Sequence, residues 1–308
     1  MVKSIFIRLY TSLLVIFGTM VVVFVILNVL PGDPALLMLD PAEATPEMIA
    51  NMRHQMGLDR PFYIRFGEYF GNVLQGDFGN SMLNSEPVLP KIIEHFPATL
   101  SLTLFSAAIS TAVGIALGVL SAIHRNGPID LIARLVGLFG ISMPTFWSGI
   151  LLILIFSISL GWLPAMGSDG FRSLILPSVT LGLVGAGFIV RMVRTSMLDV
   201  INEPFIVTLR SKGLSERAVM YRHALRNALI PAVTMIGMIV GELLAGAVVI
   251  ETVFSRQGIG RIIADAIMAK DLPVVQGVVF FSAIVYIAVN LLVDISYSAI
   301  DPRVRREH

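Results

Sequence analysis

Chemistry has few places to reside in this sequence, and the first is Glu242. It is the only charged residue between Asn227 and Ile250. A carboxylate at membrane depth is costly unless it is paired, buried or wet. Two readings stay open: Glu242 contacts a cationic group of a substrate on a translocation path, or it pairs with polar groups between helices. Gly241 beside it and Glu251 further along are the other candidates for a path or a packing role. The second place is Arg191–Arg226, where seven basic residues face only Asp199, Glu203 and Glu216. Catalytic patterns are missing. No G-x-x-x-x-G-K-[ST] phosphate loop and no H-E-x-x-H occurs. His54, His95, His124, His223 and His308 have no ligand spacing, and there is no cysteine. An intramembrane aspartyl protease needs two acids inside the membrane, and only Glu242 lies well within a span. The chain reads as non-catalytic, with no metal site of its own.

The elements that position these residues are membrane spans. Of 308 residues, 56% are hydrophobic and 14% charged, with a net charge of +1. That balance excludes a soluble Rossmann-type enzyme, a nucleic-acid binder and a disordered chain. A spanning helix needs about 20 apolar residues. Charge-free runs cover Leu9–Leu30, Pro97–Ile123, Leu135–Ser168, Ser173–Val190 and Leu272–Val293, and Asn227–Ile250 is broken only by Glu242. The expectation is an all-α polytopic membrane protein with six transmembrane helices. The first run is too long for a cleaved signal peptide, and Pro31-Gly32-Asp33-Pro34 should end it. Pro144 and Pro177 should kink spans or mark their ends. Gly114/Gly118 and Gly237/Gly241 have small-xxx-small spacing, read as ordinary helix packing within one chain.

With the N-terminus inside, the inner segments hold 14 basic and 7 acidic residues, the outer ones 8 and 13. Both termini should therefore be cytoplasmic. The long segment after the first span should contain two helices. One is capped at Thr45-Pro46 and stopped by Gly57, and one starts near Pro61 and ends before Gly76. Phe62, Phe66, Tyr69/Phe70 and Val73/Leu74 share a face of the second, which should rest on the bilayer or on the spans. A role in meeting a substrate-delivery partner or closing the outer mouth is the competing reading. In the inner segment, Gly213 breaks a helical stretch, Ser215 can cap a following short helix, and Pro231 lies just inside the next span. A short helix parallel to the membrane there suits docking by a cytoplasmic protein, or attraction to anionic lipid.

"SKGLSERAVMYRHALRNALIP" (Ser211–Pro231) resembles the cytoplasmic loop of binding-protein-dependent ABC-transporter permeases, closest to the dipeptide/oligopeptide/nickel branch. "LPGDPA" after the first span, "GDFGNSM" at Gly76–Met82, "GELLAGAVVIETVFSRQGIGR" at Gly241–Arg261 and "NLLVDISYSAIDPRVR" at Asn290–Arg305 look like the same branch. Essentially the whole chain is covered. Departures from the general pattern are Val207-Thr208-Leu209 in place of Glu-Ala-Ala, Arg226 after Leu225 in place of proline, and Gln257 where the branch often has proline.

The resemblance implies a type I ABC importer transmembrane-domain fold, in a bacterial cytoplasmic membrane. It divides the chain into residues 1–30 (cytoplasmic segment and first span), 31–94 (external loop), 95–298 (core) and 299–308 (cytoplasmic tail). Core spans fall at about 99–122, 134–156, 173–193, 232–254 and 275–297, and a coupling loop at about 198–230. The loop residues Ser211, Lys212, Gly213, Leu214, Ser215, Glu216, Arg217, Tyr221, Arg222 and His223 would meet an ATP-binding subunit. Partners implied are two such ATPases, a homologous second permease subunit forming a heterodimer, an external solute-binding protein and membrane lipid, with no nucleic acid. The chain would bind no cofactor, ATP and Mg2+ being held by the ATPases. The activity implied is ATP-driven import, by alternating access, of short peptides, glutathione or chelated nickel. The alternative is a stand-alone secondary transporter or channel with Glu242 as an ion site. No inverted repeat is visible to support that.

Overall fold

In the computed structural model the described residues are 2–29, 35, 45–55 and 57–300. The chain is helical: α1 (Val2–Val29), α2 (Pro46–Gln55), α3 (Phe62–Leu74), α4 (Val88–Ile123), α5 (Pro128–Ser142), α6 (Thr145–Leu152), α7 (Arg172–Ile201), α8 (Pro204–Ser211), α9 (Leu225–Val253), α10 (Ile259–Met268) and α11 (Leu272–Ile300). Two π-helical stretches, Ile153–Ser159 and Ala218–Ala224, extend α6 and lead into α9.

Among the described residues, four helices are long and apolar enough to cross a membrane: Val88–Ile123, Arg172–Ile201, Ala218–Val253 and Leu272–Val293. The run expected as one span at 134–156 is instead a pair, α5 and α6 with its π extension, bent by 114°. Pro144 is the cause. It pushes Met143 out of the helical region to φ −86°, ψ 135°, and its own ring cannot donate. Counted once, the pair makes a fifth span, and the expected six depend on α1. Its apolar stretch Tyr10–Ile26 is about 25 Å long, slightly less than a hydrocarbon core. Helices also outrun the charge-free runs. Helix α4 starts well before Pro97, because Lys91, Glu94 and His95 interrupt the apolar run without stopping the helix.

The chain divides into two compact units. One comprises Met1–Pro97 and Gly258–Ile287. Here the aromatic face of α3 packs on α1: Phe24 lies 5.1 Å from Phe62, 5.3 Å from Phe66 and 5.6 Å from Tyr69, ring centre to ring centre. The face expected to rest on bilayer or spans thus rests on the first helix. Thr45 accepts the Met48 N–H at 3.3 Å and Gly57 turns at φ +63°, the foreseen cap and stop of α2. Gly76, at φ +79°, ends α3 by donating to the Val73 carbonyl while Asp77 donates to that of Asn72. The "GDFGNSM" motif is a turn held from both sides. Asp77 accepts the Gly79 N–H at 2.8 Å. Buried Asp271 accepts from the Ser81 hydroxyl, and from the Met82 N–H at 3.1 Å.

The other unit comprises Ala98–Gln257 and Ala288–His308, with α7 at its centre. Cβ-less positions set its packing. A Cβ on Gly114 would lie 2.5 Å from Ile189 Cβ, and one on Gly118 2.7 Å from Val193 Cβ. On another side, a Cβ on Gly140 would lie 2.3 Å from the Leu183 carbonyl oxygen, and one on Gly187 2.5 Å from that of Gly137. Without those glycines α4 and α5 could not approach α7 so closely. Gly237 packs likewise on Val293, so Gly114, Gly118 and Gly237 serve contacts within the chain. The foreseen helix end at Pro31–Pro34, the "DPRVR" part of the last motif and nearly all of the 299–308 tail lie outside the described residues.

Candidate functional site

The segment expected on the inner side is built around one turn. Helix α7 ends at Asn202, whose side chain returns a hydrogen bond to the Leu198 carbonyl at 2.9 Å. Extended Glu203 and Pro204 at the first helical position start α8 two residues later. Ile206 anchors α8, fully buried in the core, while Phe205 and Val207 on either side stay exposed. Gly213, at φ +79°, ends the helix: its N–H donates to the Arg210 carbonyl at 2.9 Å, and the Leu214 N–H to that of Leu209 at 3.3 Å. This paired pattern needs a left-handed residue, which glycine adopts without a Cβ clash. Leu209 and Leu214, the two apolar residues flanking the pattern, both pack on the core.

Beyond the turn, Ser215 accepts the Val219 N–H through its carbonyl at 3.0 Å, and its hydroxyl faces the Ala218 N–H at 3.4 Å. Arg210 reaches across the glycine to Glu216 with both arms, Nε to Oε1 at 2.8 Å and Nη2 to Oε2 at 3.2 Å. Those bonds hold the Glu216 carboxyl below its ordinary range. Ser211, Lys212, Gly213, Ser215, Glu216, Arg217, Tyr221 and Arg222 are exposed; Leu214 and His223 are half-buried. The short helix that Ser215 was expected to cap is not separate. Helix continues from Glu216 through the π-helical stretch into α9, since no glycine or proline intervenes before Pro231. The short helix of this segment is α8, ahead of Gly213. The segment also starts later than the basic residues suggested, because Arg191 and Arg194 lie on α7.

The carboxylates of α9 differ. Glu251 is fully buried and accepts the Thr99 hydroxyl at 2.6 Å. Arg256, only 5% exposed, donates its N–H to the Glu251 carbonyl at 2.8 Å and its Nη2 to Ser101 Oγ at 3.1 Å. Burial draws the Arg256 guanidinium below its ordinary range, and the charge of Glu251 opposes that shift. Glu242, by contrast, is exposed, and Gly241 beside it is buried. The sequence singled out Glu242 as the one deep acid, but Glu251 is the more enclosed.

Sequence reasoning also missed Asp130, counted only as an inner-loop charge. It is fully buried at the start of α5. It accepts from Ser121 Oγ at 2.5 Å, the Asn126 N–H at 2.9 Å, and Arg194 through Nε at 2.8 Å and Nη2 at 2.9 Å. The network ties the ends of α4, α5 and α7 together. An arginine inside the α7 helix was the available signal, since a cation there calls for an acid.

Two family models match the chain. "Binding-protein-dependent transport system inner membrane component" matches residues 114–306, and "Binding-prot-dependent transport system membrane comp, N-term" matches residues 1–103. The glutathione transport system permease protein GsiC of Salmonella choleraesuis (strain SC-B67) is 44% identical over 285 residues, 92% of this chain and 93% of that protein. GsiC of Escherichia coli (strain K12) is 42% identical over 298 residues, 97% of each. Among solved structures, an inward-facing conformation of the MetNI methionine ABC transporter aligns with TM-score 0.61 at 20% identity, over 70% of this chain and 99% of that one. An amino acid ABC transporter crystallised with histidines aligns with TM-score 0.53 at 14% identity, over 68% and 94%. At these identities the structures establish the fold alone.

Proposed function

The chain belongs to the binding-protein-dependent transport system inner membrane component family, as a permease subunit of an ABC importer, and from that premise we propose that it carries glutathione or a similarly short peptide inward by alternating access. The glutathione permeases that it resembles along nearly its whole length support that substrate class. The reading places the chain in a bacterial cytoplasmic membrane with both termini inside. It pairs the chain with a homologous second permease subunit, two ATPases that hold ATP and Mg2+, and an external binding protein.

The observation that carries the mechanism is the α8–Gly213 turn. Phe205 and Val207 offer an exposed apolar contact on a helix that Ile206 roots in the core. Ser215, Glu216 and Arg217 surround it with polar groups. A groove on an ATPase would seat this projection. Closure of the ATPase pair would then push on α8, and through the short Asn202–Glu203 link on α7.

The test co-expresses the chain with its cognate subunits and compares wild type with Gly213→Trp. The variant should lose ATPase co-purification and uptake. Wild-type uptake and docking in the variant would remove the coupling role. Uptake of glutathione, a dipeptide and a nickel chelate by the wild-type importer decides the substrate class.

A further inference from the structure

The exposed face of α9 is one stripe: Met238, Glu242, Ala245, Val249 and Thr252 recur at helical spacing and are all exposed. Glu242 lies at its middle. It is ten residues from Ala232 and twelve from Phe254, about 15 Å and 18 Å of helix on either side. Among the described residues it makes no hydrogen bond or ion pair, unlike Glu251, which Thr99 meets within the same unit. Hydrocarbon does not accept an unpaired carboxylate at that depth, and polar groups there face water or a partner. The remainder of the stripe is small or flexible: alanine, valine, methionine and a threonine whose hydroxyl is turned back to the Val248 carbonyl at 2.9 Å. None of these supplies a competing charge.

We infer that this stripe is the chain's share of the aqueous path, and that Glu242 is the anionic contact for the free ammonium group of the passing solute. The inference rests on the peptide-importer reading above and deepens it: the solute class is set by a primary amine, with carboxylates left to groups outside the stripe. A carboxylate held by a rigid helix, with no partner to displace among the described residues, can take and release a cation without first breaking a bond to them. That suits a site the solute must leave.

Two measurements on the assembled importer in proteoliposomes test this. Because the chain has no cysteine, Glu242→Cys introduces a single thiol into it. In a complex whose other subunits lack accessible thiols, a charged, membrane-impermeant maleimide should label Glu242→Cys at least tenfold faster than Leu104→Cys. S-methylglutathione, which keeps the ammonium but has no thiol, should slow that labelling. No labelling would overturn the inference, since the stripe would then be covered by the second permease subunit or by lipid. In the second measurement, Glu242→Gln should cut S-methylglutathione uptake about tenfold and Glu242→Asp should retain most of it, both complexes eluting as wild type does. Wild-type uptake by Glu242→Gln would overturn the ammonium contact. If the wild-type importer moves no amine-bearing peptide at all, the substrate reading fails instead, and the labelling still decides whether the stripe is wet.

Discussion

Glu251 and Glu242 stand on one helix, nine residues apart, in opposite circumstances. Glu251 is sealed, with Thr99 donating to it and Arg256 alongside. Glu242 projects from the same helix with nothing described to meet it. The difference teaches what a charge in a span is for. A carboxylate whose partners belong to its own chain is part of the frame, and its worth is measured in stability. One that the described frame leaves unmet has, on the inference above, its partner in the passing solute, and its worth is then measured in traffic.

The strongest way to break that contrast is to delete a sealed charge. Asp130→Ala strands Arg194, and Glu251→Ala removes the buried charge that opposes the burial of Arg256. Removing one member of a buried pair costs about 3–5 kcal/mol, so both variants should show a clear fall in thermal midpoint and in yield of the detergent-solubilised complex. Thr99→Val comes next. It leaves Glu251 without its hydroxyl donor, a loss of about 1–3 kcal/mol, read in the same melt. Glu242→Gln should then leave the midpoint within about 0.5 kcal/mol, as substitutions at exposed, unpartnered positions do, while uptake falls. A large loss of stability there would erase the distinction between the two acids.

The smallest effect belongs to Arg210 and Glu216, which are exposed and screened by salt. Their pairing lowers the Glu216 carboxyl below its ordinary value. The support it gives the Gly213 turn is therefore present at neutral pH and lost as pH falls through that lowered value. Amide exchange across residues 209–219 should quicken there, and Arg210→Ala should abolish the pH dependence without moving the thermal midpoint.

Much of the architecture was legible because it is written in local terms. Charge-free runs located the four long apolar helices α4, α7, α9 and α11 out of six expected spans, Thr45-Pro46 and Gly57 bounded α2, and Gly213 announced the turn after α8. What escaped depends on residues far apart in the chain. Asp130 meets Arg194 across 64 positions, and Glu251 meets Thr99 across 152. No window of sequence holds both partners, so Asp130 counted only as a loop charge, and Glu251 stood as a candidate for a path or a packing role with no partner to decide between them. The break at Pro144 was half legible: the proline was visible, but not the 114° bend that followed. The helix after Gly213 was misjudged for a local reason. Ser215 was read as opening a short piece, while no residue between Glu216 and Pro231 could close one.

The glycine contacts along α7 limit how the protein can move. With a carbonyl oxygen or a branched Cβ where a side chain would otherwise be, α7 meets α4 and α5 with no room for a Cβ at Gly114, Gly118, Gly140 and Gly187, so sliding or rolling there would run into these contacts. On the proposed coupling, a push delivered through α8 would have little room to dissipate as small rearrangements at these contacts. It would arrive as a displacement of the group as a block, with a stroke length at the far end fixed by geometry, like that of a stiff crank, and not by the size of the force.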